Sequence, residues 1–196
     1  MDKKTKILGF AGSLRKGSYN KALLNAAVEL APENTEIEVF DLEGIPLFNQ
    51  DLELQPPSIV REFKEKIKAA DALLIVTPEY NYSMSGVIKN ALDVASRPST
   101  DRVFAGKPVA IMSASPGRFG GSRAQYQLRQ TLIILNAHPI NFPEIMLSQA
   151  DKSVDENGKI NSEDIRKLIK QLLEELICWT KQIEKSDKFQ NNKLKK

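Results

Sequence analysis

A doubly wound α/β fold, a five-stranded parallel sheet with helices on both faces, is what this sequence predicts. Two observations carry that expectation. Four short apolar runs, residues 7–11, 37–40, 72–76 and 109–113, read as buried strands, and each is followed by a loop and then a helical pattern. The loop after the first run, residues 12–20, also has the chemistry with which parallel-sheet proteins cradle a phosphate. Glycine permits a tight turn, Ser13, Ser18 and backbone N–H groups can point at anionic oxygens, Arg15 adds a fixed cation, and a helix N-terminus follows. Its spacing matches neither G-x-x-x-x-G-K-[ST] nor G-x-G-x-x-G, so the ligand is expected to be neither a nucleoside triphosphate nor a dinucleotide.

Along the chain, Leu23, Ala27 and Leu30 mark the buried face of the first helix. Ile59, Phe63 and Ile67 mark the second, Val87, Ala91 and Val94 the third, and Leu128, Leu132 and Leu135 the fourth. A fifth strand is expected within residues 137–146, kinked by Pro139 and Pro143. The last helix is the clearest, with Ile165, Leu168, Ile169, Leu172, Leu173, Leu176 and Ile177 at spacings of three and four. Residues 1–185 therefore read as one domain and 186–196 as a polar, basic tail outside the fold.

Composition narrows the function. A chain of 196 residues with 41% hydrophobic content can bury one substantial core. Its 28 basic and 25 acidic residues leave a net charge of +3, too mild for a dedicated nucleic-acid binder. No run approaches the ~18 apolar residues needed to span a bilayer, and no signal-peptide core follows Met1, so a cytoplasmic location is expected. The one cysteine, Cys178, sits in a helical pattern and reads as a packed thiol. The one histidine, His138, has no metal-binding companion legible nearby, and no metal is expected. Ser153, Asp155, Asn157, Gly158 and Asp164 imitate a calcium loop, but the twelfth position is Asp rather than Glu and no helix precedes it. A tight Asn157-Gly158 turn, with Asn161 or Ser162 capping the last helix, is the better reading.

In such sheets ligands bind beyond the carboxyl ends of the strands, where the strand order switches. Three loops fall there: residues 12–20, 78–86 and 115–122. The second carries Pro78, Glu79, Tyr80, Asn81 and Tyr82, polar and aromatic where a short connection would suffice. The third carries Ser115, Arg118 and Phe119 among three glycines, which let backbone approach a flat ligand.

G-S-L-R-x-x-S-x-N after the first strand and P-E-Y-N-x-S-x-x-G-x-x-K-N-A-L-D after the third together resemble the NADPH-dependent FMN reductase family, over residues 6–183. The likeness is greatest to its bacterial quinone and chromate reductases. The resemblance implies a flavodoxin-like fold and FMN as cofactor, with its phosphate at Ser13, Arg15, Ser18 and Asn20. It places the isoalloxazine along Pro78, Glu79, Tyr80 and Asn81, with Ser115 nearby. Pro116, Arg118 and Phe119 stand where relatives often carry smaller residues, so the resemblance does not fix the shape of the nicotinamide or acceptor pocket.

By that resemblance, NADPH or NADH gives hydride to the flavin in a ping-pong cycle, and quinones, chromate, azo or nitro compounds or free flavin take the electrons. No side chain acts as a catalytic acid or base, and Glu79 is expected to be structural or a hydrogen-bond partner of the pyrimidine edge. The alternative is a flavodoxin-like electron carrier without turnover, which the mixed surface and arginine-bearing first loop disfavour. A homodimer or homotetramer is also implied. Arg123 and Tyr126, three apart on the fourth helix, suit a subunit contact, with Glu144 a candidate partner for Arg123. The 46–51 loop is expected near a neighbouring subunit's site.

Overall fold

The computed structural model of the chain describes residues 4–193. In order the elements are β1 (Thr5–Ala11), α1 (Tyr19–Glu29), β2 (Thr35–Val39), α2 (Ser58–Ala69) and β3 (Ala72–Val76). A small hairpin of β4 (Glu79–Tyr80) and β5 (Ser83–Met84) leads into α3 (Gly86–Ala95) and β6 (Pro108–Ala114). Then come α4 (Ser122–Ile134), β7 (His138–Pro139), β8 (Ile145–Leu147), α5 (Ala150–Ser153) and α6 (Glu163–Lys193).

The main sheet is parallel in the order β2-β1-β3-β6, and β7 and β8 both pair with β6 on its far edge. Those two pieces are one fifth strand broken in the middle. β7 meets the start of β6 at Pro108 and Val109, whereas β8 meets its end at Met112, Ser113 and Ala114. The break holds Pro143, which has no N–H to give a ladder, as the sequence anticipates.

Alternation along the strands divides the core in two. Ile7, Leu74, Val76 and Met112 pack with α1 and α6 on one face, and Leu8, Phe10, Leu73 and Ile75 pack with α2, α3 and α4 on the other. Phe10 meets Phe63 of α2 edge-to-face at 5.3 Å between centroids. One expectation fails in detail: β2 is not a buried strand. It is the sheet edge, Ile37 is its half-buried anchor, and Glu36 and Glu38 face solvent. The last helix extends past the boundary expected at 185, through Lys193; no glycine or proline interrupts residues 186–193. Residues 194–196 of the basic tail lie outside the described residues.

The 153–164 segment folds as a turn. Asp155 Oδ1 accepts the N–H groups of Asn157 and Lys159, Gly158 takes φ +77°, and Ser162 Oγ accepts the Ile165 N–H at the start of α6.

Candidate functional site

β1 is the point where strand order reverses, since the chain goes outward to β2 and then back across β1 to β3. The loops after β1 and β3 consequently emerge side by side at the carboxyl edge, and the loop after β6 comes next.

The first loop leaves most of its polar groups without a protein partner among the described residues. Gly12 donates its N–H to Val76 O and lies so close to Ser85 and Ile88 that a Cβ there would meet them at 2.4 Å or less, so only glycine lets β1 and α3 approach this way. After it, no backbone N–H from Ser13 to Ser18 is spent on another protein group, and the buried Ser13 hydroxyl has no protein partner among the described residues. Ser18 caps α1 by accepting from the N–H groups of Asn20 and Lys21, which leaves its hydroxyl proton to donate outward. Arg15 is exposed, its guanidinium 5.0 Å from the Tyr19 ring centroid. Residues 14–17 of this loop are exposed, so these donors face solvent and are open to an anion.

Asn20 has different work. Its Nδ2 donates to Ala114 O at 3.0 Å and its Oδ1 accepts from Ala114 N at 2.9 Å, so the buried amide fastens the start of α1 to the end of β6. It holds the first loop in register with the third.

In the second loop Pro78 is buried, and β4 and β5 form a hairpin whose tip residues, Asn81 and Tyr82, have φ of +50° and +70°. Positive φ at both tip positions is the two-residue turn that suits the twist of paired strands. Asn81 is at home there; Tyr82 is not, and it remains 68% exposed. Tyr80 is likewise exposed, at 53%.

Glu79 makes a contact that joins two loops. Its Oε1 accepts from Arg123 Nε at 2.6 Å, and its Oε2 accepts the backbone N–H groups of Arg123 and Ala124 at 3.1 and 3.4 Å. The helix α4 starts after Gly121, which has no side chain to cap it, and the Glu79 carboxylate takes that place from a distant loop. This hydrogen bond, with the attraction of the carboxylate, raises the Arg123 pKa further above its already high value, while desolvation opposes it. The Arg123 guanidinium lies over the Tyr82 ring at 3.7 Å and the Phe119 ring at 4.7 Å. Arg123 is thus engaged within its own chain. Tyr126 is exposed on the outer side of α4, and Glu144 is exposed as well.

The third loop rests on a buried network that sequence reading missed. Gln125, fully buried, donates through Nε2 to Ser113 Oγ at 2.9 Å and to Ile145 O at 2.7 Å, and Ser113 Oγ donates to Gly120 O at 2.6 Å. Gly120 and Gly121 both have positive φ, and a Cβ on Gly120 would strike Met146 O at 2.3 Å, so this turn admits no other residue. Ser115, half-buried, accepts the Gly117 N–H on its Oγ at 3.1 Å. Asn90 is a second omission: its amide accepts from Phe48 N and donates to Pro46 O, each at 2.8 Å, and so clasps the 46–51 loop to α3. A polar residue within the apolar periodicity of a helix was the available signal in both cases.

A cavity of about 570 Å³ lies between α3 and α4, bordered by Arg97, Arg102 and Asn136. It shares no residue with the three loops. Among the described residues no group of three or more potential metal-binding side chains occurs, and no helix is long and apolar enough to cross a membrane.

The fold is a flavodoxin-like α/β sheet with three loops gathered at its switch point. The chain belongs to the NADPH-dependent FMN reductase family, whose model matches residues 5–152. It is 52% identical to an NAD(P)H-dependent FMN reductase of Pseudomonas aeruginosa over 179 residues, covering 91% of this chain and 96% of that one. It is 43% identical to a 2-hydroxy-1,4-benzoquinone reductase of a Burkholderia species over 176 residues, 90% of this chain and 96% of the relative. Among solved structures, FerB, a flavoenzyme NAD(P)H:(acceptor) oxidoreductase from Paracoccus denitrificans, superposes with a TM-score of 0.83 at 31% identity, covering 91% of this chain and 98% of its own.

Proposed function

We propose that this protein is an NAD(P)H-dependent, FMN-containing oxidoreductase that reduces quinones. The observation that carries the reading is the first loop: N–H groups from Ser13 to Ser18 and a Ser13 hydroxyl not spent on protein partners among the described residues, at the switch point of a chain of this family. Ser13, Ser18 and Arg15 would hold the phosphate, and Asn20 keeps their loop against β6. Pro78, Glu79, Tyr80, Asn81 and Ser115 would line the flat ring system. Here the unspent N–H group of Asn81 at the hairpin tip supplies a donor, and the Glu79 carboxylate works structurally. FMN, when bound, supplies the two-electron chemistry that links a nicotinamide donor to an acceptor. The residues around it position and shield; none is placed to abstract a substrate proton.

The second and third loops would form one flat shelf, which donor and acceptor would use in turn. The reading extends to a cytoplasmic homodimer or homotetramer, supported by the apolar outer side of α4, where Ile133 and Ile134 are 70% and 83% exposed near Tyr126. Chromate, azo and nitro compounds and free flavin belong to the same acceptor panel. The test is titration of the apoprotein with FMN followed by NADPH and NADH oxidation across that panel. Tight FMN binding with quinone turnover supports the enzyme; tight binding without turnover leaves the electron carrier.

A further inference from the structure

Two exposed aromatic rings and one arginine meet where the second and third loops join. Exposed rings gain little from water, and these two are not idle: the guanidinium of Arg123 lies over both faces, and Glu79 fixes that guanidinium from behind. Tyr82 is set there by a backbone conformation that disfavours tyrosine, and Phe119 remains 60% exposed. The charge of Arg123 is balanced by the carboxylate, so what this cluster offers an incoming molecule is mainly flat polarisable surface. Because it spans the loops after β3 and β6, it stands beside the shelf rather than over the phosphate cradle.

Resting on the flavoenzyme reading above, we propose that Tyr82, Arg123 and Phe119 form one rigid wall of the acceptor slot, and that this wall selects flat conjugated acceptors over compact ones. Glu79 is its positioning residue. A naphthoquinone stacks against such a wall; ferricyanide, octahedral and able to take electrons without stacking, does not need it.

The test compares kcat and KM for a naphthoquinone and for ferricyanide in wild type and in Tyr82→Asn/Phe119→Ala. Asparagine accepts the positive φ of position 82, and the Glu79–Arg123 pair and the net charge are kept. Loss of two stacking partners should lower quinone kcat/KM about tenfold, mainly through KM, with the ferricyanide values and FMN affinity within about twofold. Arg123→Lys retains the charge but loses the planar fork, and should shift the quinone KM in the same direction. A parallel fall for both acceptors would mean that the rings merely support the loops, and unchanged quinone kinetics would likewise overturn the wall. Wild-type protein that binds no FMN, or reduces neither acceptor, would remove the parent reading and the wall with it; normal wild-type turnover with an unaltered double variant removes the wall alone.

Discussion

Ser13 and Arg15 show how far a single residue can be read. Residue type and place in the loop pointed to a phosphate, and the structure adds a run of N–H groups and a Ser13 hydroxyl not spent on protein partners among the described residues. Arg15→Ala should weaken FMN binding by about ten- to a hundredfold, the usual effect of losing a charge-assisted contact, in a fluorescence titration of the folded apoprotein. Unchanged affinity would move the phosphate elsewhere. Other residues were legible only in type. The family resemblance put Asn20 at the phosphate, yet its amide donates to and accepts from Ala114, a pairing between positions 94 apart that no local pattern reveals. Chemistry excluded Glu79 as a base, since hydride transfer offers no proton to abstract, and left it structural or a partner of the pyrimidine edge; its bond to α4 depended on Gly121 leaving that helix uncapped.

At the scale of elements, the strand runs and helix faces stood out because a doubly wound sheet buries its central strands completely, and continuous apolar runs follow from that. The edge broke the rule: β2 keeps alternate polar residues because one neighbour is solvent. The hairpin β4–β5 was read only as an unusual loop, since Asn81-Tyr82 lacks the glycine that advertises such turns. Connections between elements hold the least legible energy. The segment before β6 is pinned by Asp101, which accepts from buried Lys64 at 2.7 Å and from Lys68 at 3.1 Å. The Lys64 hydrogen bond, aided by that of Lys68, holds the Asp101 carboxyl below its ordinary pKa against the opposing cost of burial. A carboxyl whose folded pKa is depressed contributes stability that is present above its unfolded pKa and is lost as pH falls through the folded value. Asp101→Asn should therefore lower the thermal midpoint near neutral pH, by about 1–3 kcal/mol in stability, and the gap to wild type should close as pH drops below the carboxylate range. A gap independent of pH would show that the loop is held by packing.

For the molecule as a whole, the family, the fold and the three-loop site agree, and what the single chain leaves open to solvent concerns its assembly. Tyr126, Ile133 and Ile134 on α4, with Leu47 82% exposed on the loop clasped by Asn90, give this side an apolar character. Light scattering during size-exclusion chromatography should find a dimer or tetramer at micromolar concentration. A fully active monomer would reject the oligomer, and an assembly unchanged by Tyr126→Ala with Ile134→Ser would take it off this face.

The central claim is that the three loops hold FMN where a nicotinamide donor and then a quinone can reach it. Mixing the FMN-loaded protein with NADPH under anaerobic conditions, and then adding a quinone, tests it most directly. Rapid bleaching of the visible flavin band and its full return on quinone addition is the predicted result; a band that NADPH leaves unchanged while the protein stays folded and FMN-bound would contradict the account.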